Sequence, residues 1–335
     1  MTTLPADPND AAASGVADST LAEKPRTVWR DAFDRIKTSR TATIATICVA
    51  VYFLVGLLGF TPALNRARED VVGGNNKPPA LVRVDDNGAK RLAPSLWFGT
   101  DFIGRSVLWR FLYGVRVALT VAVLASIVET VIGLTLGALA GYLGGWVDAL
   151  VIWLFSTVAS IPWLLLMIAL AYGLKGREFY APWTESNYLP LAGIPTIILA
   201  LGLSSWVGLC RLIRAEVLKH RDRDYVTAAR AAGVGHGRIM FRHILPNVFH
   251  IVIINFSLGL AGYVQAEVVL SFLGLGVTDQ PSWGRMIDDA KLELLKGVWW
   301  QMAAATVGIF VLSLVVNLFG DALRDALDPR LRGTD

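Results

Sequence analysis

This chain is poor in charged residues, cysteine and histidine, and each shortage narrows the classes of protein to which it can belong. Only 17% of its 335 residues are charged, whereas soluble proteins carry about 25%. Hydrophobic residues make up 54% of the chain, and the mean hydropathy is positive. The net charge of +4 is dispersed among apolar stretches, so the sequence predicts no face that binds nucleic acid. These properties exclude an ordinary soluble domain and favour an integral membrane protein.

Residue patterns that carry enzyme chemistry are also missing. No glycine-rich loop ends in Gly-Lys-Ser or Gly-Lys-Thr, so this chain is not expected to bind ATP phosphates. Cys48 and Cys210 both lie in apolar runs and cannot form a disulfide framework. The four histidines lie in or beside one basic loop without a metal-ligand spacing, and no Ser, His and Asp pattern suggests catalysis. The sequence therefore predicts no enzyme activity, cofactor or metal in this chain.

Long apolar runs are what the chain has in abundance. Six of them reach the length of about 20 helical residues that a bilayer crossing requires. They cover approximately 41–60, 117–140, 149–173, 192–210, 247–270 and 298–320. Backbone groups in lipid must be hydrogen-bonded within the segment, so these runs are expected to be helices. The predicted fold class is an all-α membrane protein with about six transmembrane helices.

The charges between the apolar runs predict the orientation of the chain. Residues 211–246 carry eight Lys and Arg residues against three acidic ones, which places this loop in the cytoplasm. With six spans, both termini are then cytoplasmic as well. The predicted organisation is an N-terminal tail (1–40), a first transmembrane helix (41–60), an extracytoplasmic segment (61–116), a core membrane domain (117–320) that includes the cytoplasmic loop 211–246, and a C-terminal tail (321–335). Residues 1–23 lack an apolar core, so they are interpreted as a tail and not as a signal peptide.

Two features inside the spans indicate contacts with protein. Gly133, Gly137 and Gly141 recur every four residues, so they predict a flat helix face for close packing. Glu129 and Glu267 are carboxylates within spans, where a charge costs at least about 2.5–3.5 kcal/mol on insertion scales. Each is interpreted as a buried hydrogen-bonding group. For Glu267 the alternative is lining of a substrate path, and for Glu129 it is a proton relay.

The basic loop holds the most informative stretch, from Asp222 to Asn247. Asp224 is predicted to cap a short alanine-rich helix, which Gly233 ends in a left-handed conformation. A second helix is expected to run to Leu245, where Pro246 prevents regular continuation. A short capped helix with small residues, projecting from a membrane domain, is typical of docking into a groove of another protein.

This loop resembles the coupling loop of bacterial ABC importer permeases. That loop reads Glu-Ala-Ala, three residues, Gly, nine residues, then a hydrophobic residue, any residue, Leu and Pro. Here it reads Thr227-Ala228-Ala229, Gly233 and His243-Ile244-Leu245-Pro246 at the same spacing. Thr227 replaces the glutamate and His243 takes the hydrophobic position. The run Arg-His-Ile-Leu-Pro-Asn is itself typical of the dipeptide/oligopeptide permeases.

Four further segments resemble the C-type subunit of that subfamily, and all the matches together cover most of residues 97–333. They are Phe98 to Asp101 with Gly104-Arg105 and Tyr113 to Arg116; Ala140 to Asp148; Glu267 with Ser271 to Gly276 and Ser282 to Gly284; and Asn317 to Asp325 with Leu327 to Arg332. The resemblance implies a type I ABC importer permease fold in a bacterial inner membrane. It also implies a second permease subunit, two ATP-binding subunits that hold ATP and Mg, and an extracytoplasmic solute-binding protein.

The resemblance assigns coupling to the ATPases to residues of the basic loop. These residues are Asp224, Tyr225, Thr227, Ala228, Ala229, Gly233, His243, Leu245 and Pro246. A bulky charged residue at Ala229 is expected to abolish ATPase association without preventing membrane insertion. Di- or oligopeptides are the expected cargo, with nickel or oligosaccharide as alternatives. A self-sufficient secondary transporter that couples ions through Glu129 and Glu267 is the rival from another class, and an intramembrane enzyme is a remote one.

Overall fold

The structure is a computed structural model that describes residues 37, 39–84, 90–180, 188–277 and 280–327. Most of the predicted N-terminal tail and residues 328–335 of the predicted C-terminal tail lie outside the described residues. Within the described part the chain is mostly helical, with two small antiparallel hairpins.

The helices are α1 (Arg40–Leu58), α2 (Pro62–Ala67), α3 (Val107–Leu143), α4 (Gly145–Ala159), α5 (Trp163–Leu174), α6 (Ile194–Arg221), α7 (Asp224–Ala231), α8 (His236–Ile239), α9 (Leu245–Phe272), α10 (Trp283–Leu294) and α11 (Trp300–Leu327). The strands are β1 (Val82–Val84), β2 (Lys90–Leu92), β3 (Arg177–Tyr180) and β4 (Tyr188–Leu191). β1 pairs with β2, with Val82 opposite Leu92, and β3 pairs with β4, with Arg177 opposite Leu191.

Five continuous helical segments in the described part are long and apolar enough to cross a membrane. They are α1, α3, α6, the run His236–Phe272 that contains α8 and α9, and α11. The predicted third span, 149–173, differs from the others because it is split into α4 and α5, which bend by 91° between Ala159 and Trp163. Pro162 stands at this break, and the residue before a proline is disfavoured in helical conformation. The six predicted spans therefore correspond to five continuous helices and one bent pair.

Two spans extend well beyond the apolar runs that predicted them. α3 has 37 residues and begins at Val107, where Ser106 Oγ accepts a hydrogen bond from the Trp109 N–H as N-cap. It ends at Gly144, whose φ of 68° is easily reached only by glycine. α11 likewise continues to Leu327. The additional turns contain charged residues, which a hydropathy criterion leaves out.

α3 is the central helix of the bundle. It packs against α6 along its length and also contacts α9, α1 and α11, and the largest cluster of buried apolar side chains surrounds it. α10 covers one end of the bundle, where the indole of Trp283 is fully buried and Nε1 donates to the Phe111 carbonyl at 3.0 Å. We call this the α10 end. α7 and α8 lie at the opposite end of α3, which we call the α7 end.

Candidate functional site

The site that the sequence singles out is the loop formed by α7, α8 and the turn between them. α7 begins one residue earlier than predicted. Its N-cap is Arg223, which makes no side-chain capping bond, and Asp224 is the first helical residue. The prediction that Asp224 caps the helix is therefore wrong. Its carboxylate still lies in the first turn, where a negative charge is favourable to the helix dipole.

The C-terminal end of α7 is a complete Schellman motif. Gly233 has a φ of 74°, and its N–H donates to the Arg230 carbonyl at 2.9 Å. The Val234 N–H donates to the Ala229 carbonyl at 3.1 Å. These two bonds satisfy carbonyls that the helix end leaves without partners. The turn at Gly233 agrees with the prediction from the sequence.

One face of α7 is fixed to the bundle. Val226 is fully buried in a cluster with Ile213 and Val217 of α6 and with Ile239 and Ile244 beyond the turn. Ala229, one turn further along α7, is half-buried against the same cluster. Burial of a valine side chain contributes about 1.5–3 kcal/mol, so Val226 is the main apolar anchor of α7.

The opposite face of α7 is exposed and carries small side chains. At 100° per residue, the residues that point away from Val226 are Asp224, Thr227, Ala228 and Ala231, and all four are exposed. Tyr225 flanks this face with 37% of its surface exposed. We call Asp224, Tyr225, Thr227, Ala228 and Ala231 the α7 face. It is a low, smooth surface that a groove in another protein could contact closely.

Two polar contacts hold the loop against its neighbours. The Tyr142 hydroxyl, in the last turn of α3, is 2.9 Å from His236 Nδ1 at the start of α8. The Tyr225 hydroxyl is 2.8 Å from His220 Nδ1 in the last turn of α6. The starts of α7 and of α8 are thus connected to spanning helices through side chains.

A third contact braces the same end of the bundle. Asp148, in the first turn of α4, accepts two hydrogen bonds from the guanidinium of Arg214 in α6, one of them at 2.7 Å. A bidentate pair of this kind fixes the relative orientation of the two helices. Sequence reasoning missed both this pair and the Tyr142–His236 contact. Tyr142 and Asp148 do belong to the segment 140–148 that resembles the permease family, but nothing in the sequence identifies their partners.

The second helix does not end at Leu245 as predicted, but the regular α-helical pattern is interrupted just before Pro246. Met240–Ile244 forms a turn of π-helix, in which the Leu245 N–H donates to the Met240 carbonyl five residues back. Pro246, which lacks an N–H, then falls in the first turn of α9, where no intrahelical donor is required. The helix therefore continues from His236 to Phe272, and a π-turn accommodates the proline. His243 is half-buried within this turn, and its carbonyl accepts from Asn247 Nδ2 at 2.6 Å.

The three glycines of α3 face α6 at very short range. A Cβ added at Gly137 would lie 2.6 Å from the Cys210 carbonyl oxygen, and one at Gly141 would lie 2.8 Å from the Arg214 carbonyl oxygen. At Gly133 the nearest atom would be Leu209 Cβ at 3.0 Å. Only glycine permits this approach, so α3 and α6 contact each other backbone to backbone.

The two carboxylates within spans both accept hydrogen bonds from side chains. Glu129 is 6% exposed and accepts from Asn255 Nδ2 at 3.2 Å and from the Tyr263 hydroxyl at 2.7 Å, both on α9. Glu267 is fully buried and accepts from the Ser271 hydroxyl at 2.6 Å. Glu129 thus links α3 to α9, and Glu267 braces the end of α9. Within the described ranges, no group of three His, Cys, Asp or Glu side chains could hold a metal ion.

A bundle of apolar spans with a glycine-packed helix pair and an anchored loop that presents an exposed face agrees with the membrane permease subunit of an ABC importer with the type I fold. Residues 133–333, well over half of the chain, match the family "Binding-protein-dependent transport system inner membrane component". The chain belongs to this family.

Individual relatives narrow the position of the chain within the family. It is 31% identical to the dipeptide transport system permease protein DppC of Alkalihalophilus pseudofirmus, over 91% of this chain and 90% of the relative. It is 39% identical to DppC of Escherichia coli, over 72% and 78% of the two chains. The oligopeptide transport system permease protein OppC of Bacillus subtilis is 28% identical over 99% of this chain and its own full length. The resemblance to the C-type subunits of dipeptide and oligopeptide permeases is confirmed.

A solved structure supports the fold independently. A chain of the inward-facing MetNI methionine ABC transporter superposes with a TM-score of 0.50, over 66% of this chain and 97% of that one. Sequence identity between them is 17%, so the likeness concerns the fold alone. The predicted type I ABC importer permease fold is confirmed, and the chain is a multi-pass membrane protein.

Proposed function

We propose that this chain is one of two nonidentical permease subunits of an ATP-driven importer for di- or oligopeptides. Its complex would contain a second permease, two ATP-binding subunits that bind ATP and Mg and hydrolyse the ATP, and an extracytoplasmic solute-binding protein. The cargo is proposed from the relatives that are named dipeptide and oligopeptide permeases. The chain would lie in a bacterial inner membrane with the α7 end and both termini in the cytoplasm, as the basic residues of the loop favour.

The observation that carries the coupling function is the two-sided character of α7. Its inner side is fixed through Val226, whereas the α7 face is exposed and smooth, and only the edge of that face at Tyr225 contacts a spanning helix, through His220. We assign contact with an ATP-binding subunit to this face. Gly233, His243, Leu245 and Pro246 have a different task, since they shape the turn and the return of the chain into α9.

The same contacts provide a route from the ATPases to the membrane. α7 follows α6 after two residues, and the chain returns through α8 into the continuous helix that contains α9. α3 is locked to α6 through its glycines. A displacement of α7 would therefore tilt α3, α6 and α9 together, and closure of the ATP-binding subunits would alternate the access of a path between the two permeases. Glu129, which links α3 to α9, is assigned to holding this unit together, and Glu267 is assigned to bracing the end of α9; neither is assigned to ion coupling.

A charge placed on the α7 face tests the proposal. Ala229, the position suggested by the sequence, is half-buried, so a large residue there would also displace α7 from the bundle. Ala228 is exposed and points outward, which makes Ala228→Glu the cleaner change. A carboxylate that becomes buried without a partner at the docking surface should weaken association by at least about 2 kcal/mol, roughly 30-fold.

The measurement is co-purification of the tagged permease with its ATP-binding subunits in mild detergent. Ala63→Glu is the matched control, because Ala63 is an exposed alanine of α2 outside the α7 end. The control should retain the ATP-binding subunits, and both variants should be present in the membrane at wild-type amounts. Full recovery of the ATP-binding subunits with Ala228→Glu would contradict the proposed docking surface.

A further inference from the structure

A cavity rich in arginine lies at the α10 end of the bundle, outside the coupling site. Its volume is about 170 Å³, and its lining includes Arg68, Glu69, Arg105, Arg110, Gln280 and Arg285. These residues come from the segment after α2, the approach to α3 with its first turn, and the approach to α10 with its first turn. Segments far apart in sequence therefore bring four guanidinium groups to one small space.

Two of the guanidinium groups are held rigidly by carboxylates, of which Asp101 is fully buried. Arg110, 3% exposed, donates to Asp101 at 2.7 Å and to Asp289 at 3.0 Å. Arg105 donates to the same Asp101 carboxylate through Nε at 2.8 Å. Its η nitrogens bond to no other described residue, so they remain available as donors.

Arg68 has a weaker counter-ion. It pairs with Glu69 at 2.7 Å, but the Glu69 side chain is 67% exposed, and pairs of this kind contribute little. The guanidinium stacks 4.4 Å above the ring centre of Tyr113, and its buried Nε bonds to no partner in the described part of the chain.

Arg285 has no counter-ion at all within the described ranges. It is half-buried in the first turn of α10, and no described carboxylate lies within 4.0 Å of its guanidinium. A cation at the N-terminal end of a helix is unfavourable because the helix dipole is positive there. The dipole and the guanidinium thus both make the cavity attractive to an anion, and this charge is not neutralised within the described chain.

The size of the cavity limits what can enter it. Pockets that enclose a whole small-molecule ligand measure roughly 300–1,000 Å³, so this cavity has room for a single charged group only. Several guanidinium groups with fixed planes match the two oxygens of a carboxylate. A side chain that projects from a protein surface suits such a site better than a free peptide does.

We propose that this arginine cavity receives a carboxylate side chain of the extracytoplasmic solute-binding protein when that protein docks on the α10 end. The proposal rests on the proposed function and on the orientation that places the α10 end outside the cytoplasm. Arg285 supplies the unbalanced charge, Arg68 and Arg105 supply free donors, and Arg110 holds the wall in place through Asp101 and Asp289. An Asp or Glu side chain of the partner would bring the missing counter-ion.

The test uses the whole importer in lipid nanodiscs and its fluorescently labelled solute-binding protein. Arg285→Gln should weaken binding in a fluorescence anisotropy titration by about tenfold or more, since it removes one member of a hydrogen-bonded charge pair. Arg285→Lys should lose much less, because it retains the charge. Arg177→Gln is the matched control: Arg177 is an exposed arginine on β3, outside the cavity, and this variant should bind like the wild type.

A competition experiment identifies the chemistry of the site. Glutarate should displace the labelled protein from the wild-type importer more effectively than chloride at equal ionic strength, and this difference should be absent in Arg285→Gln. Unchanged binding of the solute-binding protein to Arg285→Gln would overturn the proposal. The proposal would also be overturned if the solute-binding protein bound Arg285→Gln normally while transport of free peptide declined, since the carboxylate would then belong to the cargo.

The proposed function and the carboxylate site can be disproved separately. If no ATP-binding subunit or second permease co-purifies with the wild-type chain, the proposed function is wrong. If the importer assembles in normal stoichiometry and the solute-binding protein binds to Arg285→Gln as it binds to the wild type, only the proposed carboxylate site is wrong.

Discussion

A methyl group added at Gly137 should force the two central helices apart. The new Cβ would lie 2.6 Å from the Cys210 carbonyl oxygen, 3.0 Å from Ile213 Cβ and 3.2 Å from the Arg214 nitrogen. Two of these three atoms belong to the α6 backbone, which cannot rotate away as a long side chain could. Ordinary contacts require about 3.5 Å, so α3 and α6 must separate by roughly 0.5–1 Å.

The magnitude follows from the contacts that this separation removes. A gap of about 0.5–1 Å loses a quarter to a half of the dispersion energy of each atom pair across it. Overpacking of a well-packed interior typically costs about 1–3 kcal/mol. Alanine favours the helical state over glycine by up to about 1 kcal/mol. Gly137→Ala should therefore lower the free energy of unfolding by about 1–2 kcal/mol.

Gly208 of α6 offers a matched control with the opposite sign. It is exposed in the middle of the helix, and a Cβ added there meets nothing within 4 Å. Gly208→Ala should be neutral or should stabilise the chain by up to about 1 kcal/mol. Both variants can be compared with the wild type by titration with SDS in mixed micelles, with unfolding followed by circular dichroism. Equal or greater stability of Gly137→Ala would refute the backbone-to-backbone packing of α3 and α6.

Two further predictions concern the opposite ends of the bundle. Tyr142→Phe removes the hydroxyl that contacts His236, so the loop of α7 and α8 should be held less firmly against α3. The ATP-binding subunits should still associate, but the amount of peptide taken up per ATP hydrolysed should fall in proteoliposomes. Tyr172→Phe, at a tyrosine that is 74% exposed, should leave this ratio unchanged, and an unchanged ratio in Tyr142→Phe would contradict the role of the contact. Burial raises the pKa of the Glu293 carboxyl group, and the nearby Asp101 carboxylate raises it further. The Phe102 N–H lies near the Glu293 carboxylate without reaching hydrogen-bond geometry, so it lowers this pKa only in part. Because the pKa of Glu293 is higher in the folded than in the unfolded chain, its stabilising contribution is present below about pH 4.3 and is lost as the pH rises through the folded-state pKa. Glu293→Gln should remove this loss of stability, which thermal unfolding measured from below about pH 4.3 to above the folded-state pKa would show. Parallel pH profiles of the wild type and the variant would contradict the prediction.

Hydropathy was sufficient to locate the spans but not to define their shape. Each of the six apolar runs contains a helix, because lipid forces backbone groups to pair within the segment. The 91° bend between α4 and α5 falls inside an apolar run, where hydropathy does not change. The first turns of α3 lie outside the predicted run because Arg110 and Arg116 interrupt its apolar character. Arg110 is nevertheless buried, since Asp101 and Asp289 neutralise it.

The local rules of helix ends predicted part of the candidate site. Gly233 ends α7 in the left-handed conformation because a residue without Cβ reaches it easily. Asp224 was placed one position too early, an error that helix rules permit because Asp is favourable both at the cap and in the first turn. Pro246 is predicted to prevent regular continuation of the helix, and a π-turn just before it supplies the space that its ring requires while the helix continues. Turns of this kind have no sequence signature of their own.

The contacts that connect the loop to the bundle could not be predicted, because each joins residues distant in sequence. Tyr142 and His236 are 94 positions apart, and Asp148 and Arg214 are 66 positions apart. A sequence identifies such residues as polar but does not say which of many possible partners they meet. Only the packing of α3 against α6, which the glycines make unusually close, brings the ends of these helices into register.

Because the contacts of the loop depend on the close packing of α3 against α6, the glycine contact and the loop contacts form one mechanical unit. If α3 and α6 separate, the Tyr142 hydroxyl moves with α3, whereas α7 follows α6, so the Tyr142–His236 contact is strained. The effects of Gly137→Ala and Tyr142→Phe on uptake per ATP should then be less than additive, because each variant weakens the same connection. A double-mutant cycle on this ratio measures their interaction directly. Full additivity would mean that a displacement of α7 is transmitted to the membrane-spanning helices through α6 or α9 alone, and that α3 does not move with them.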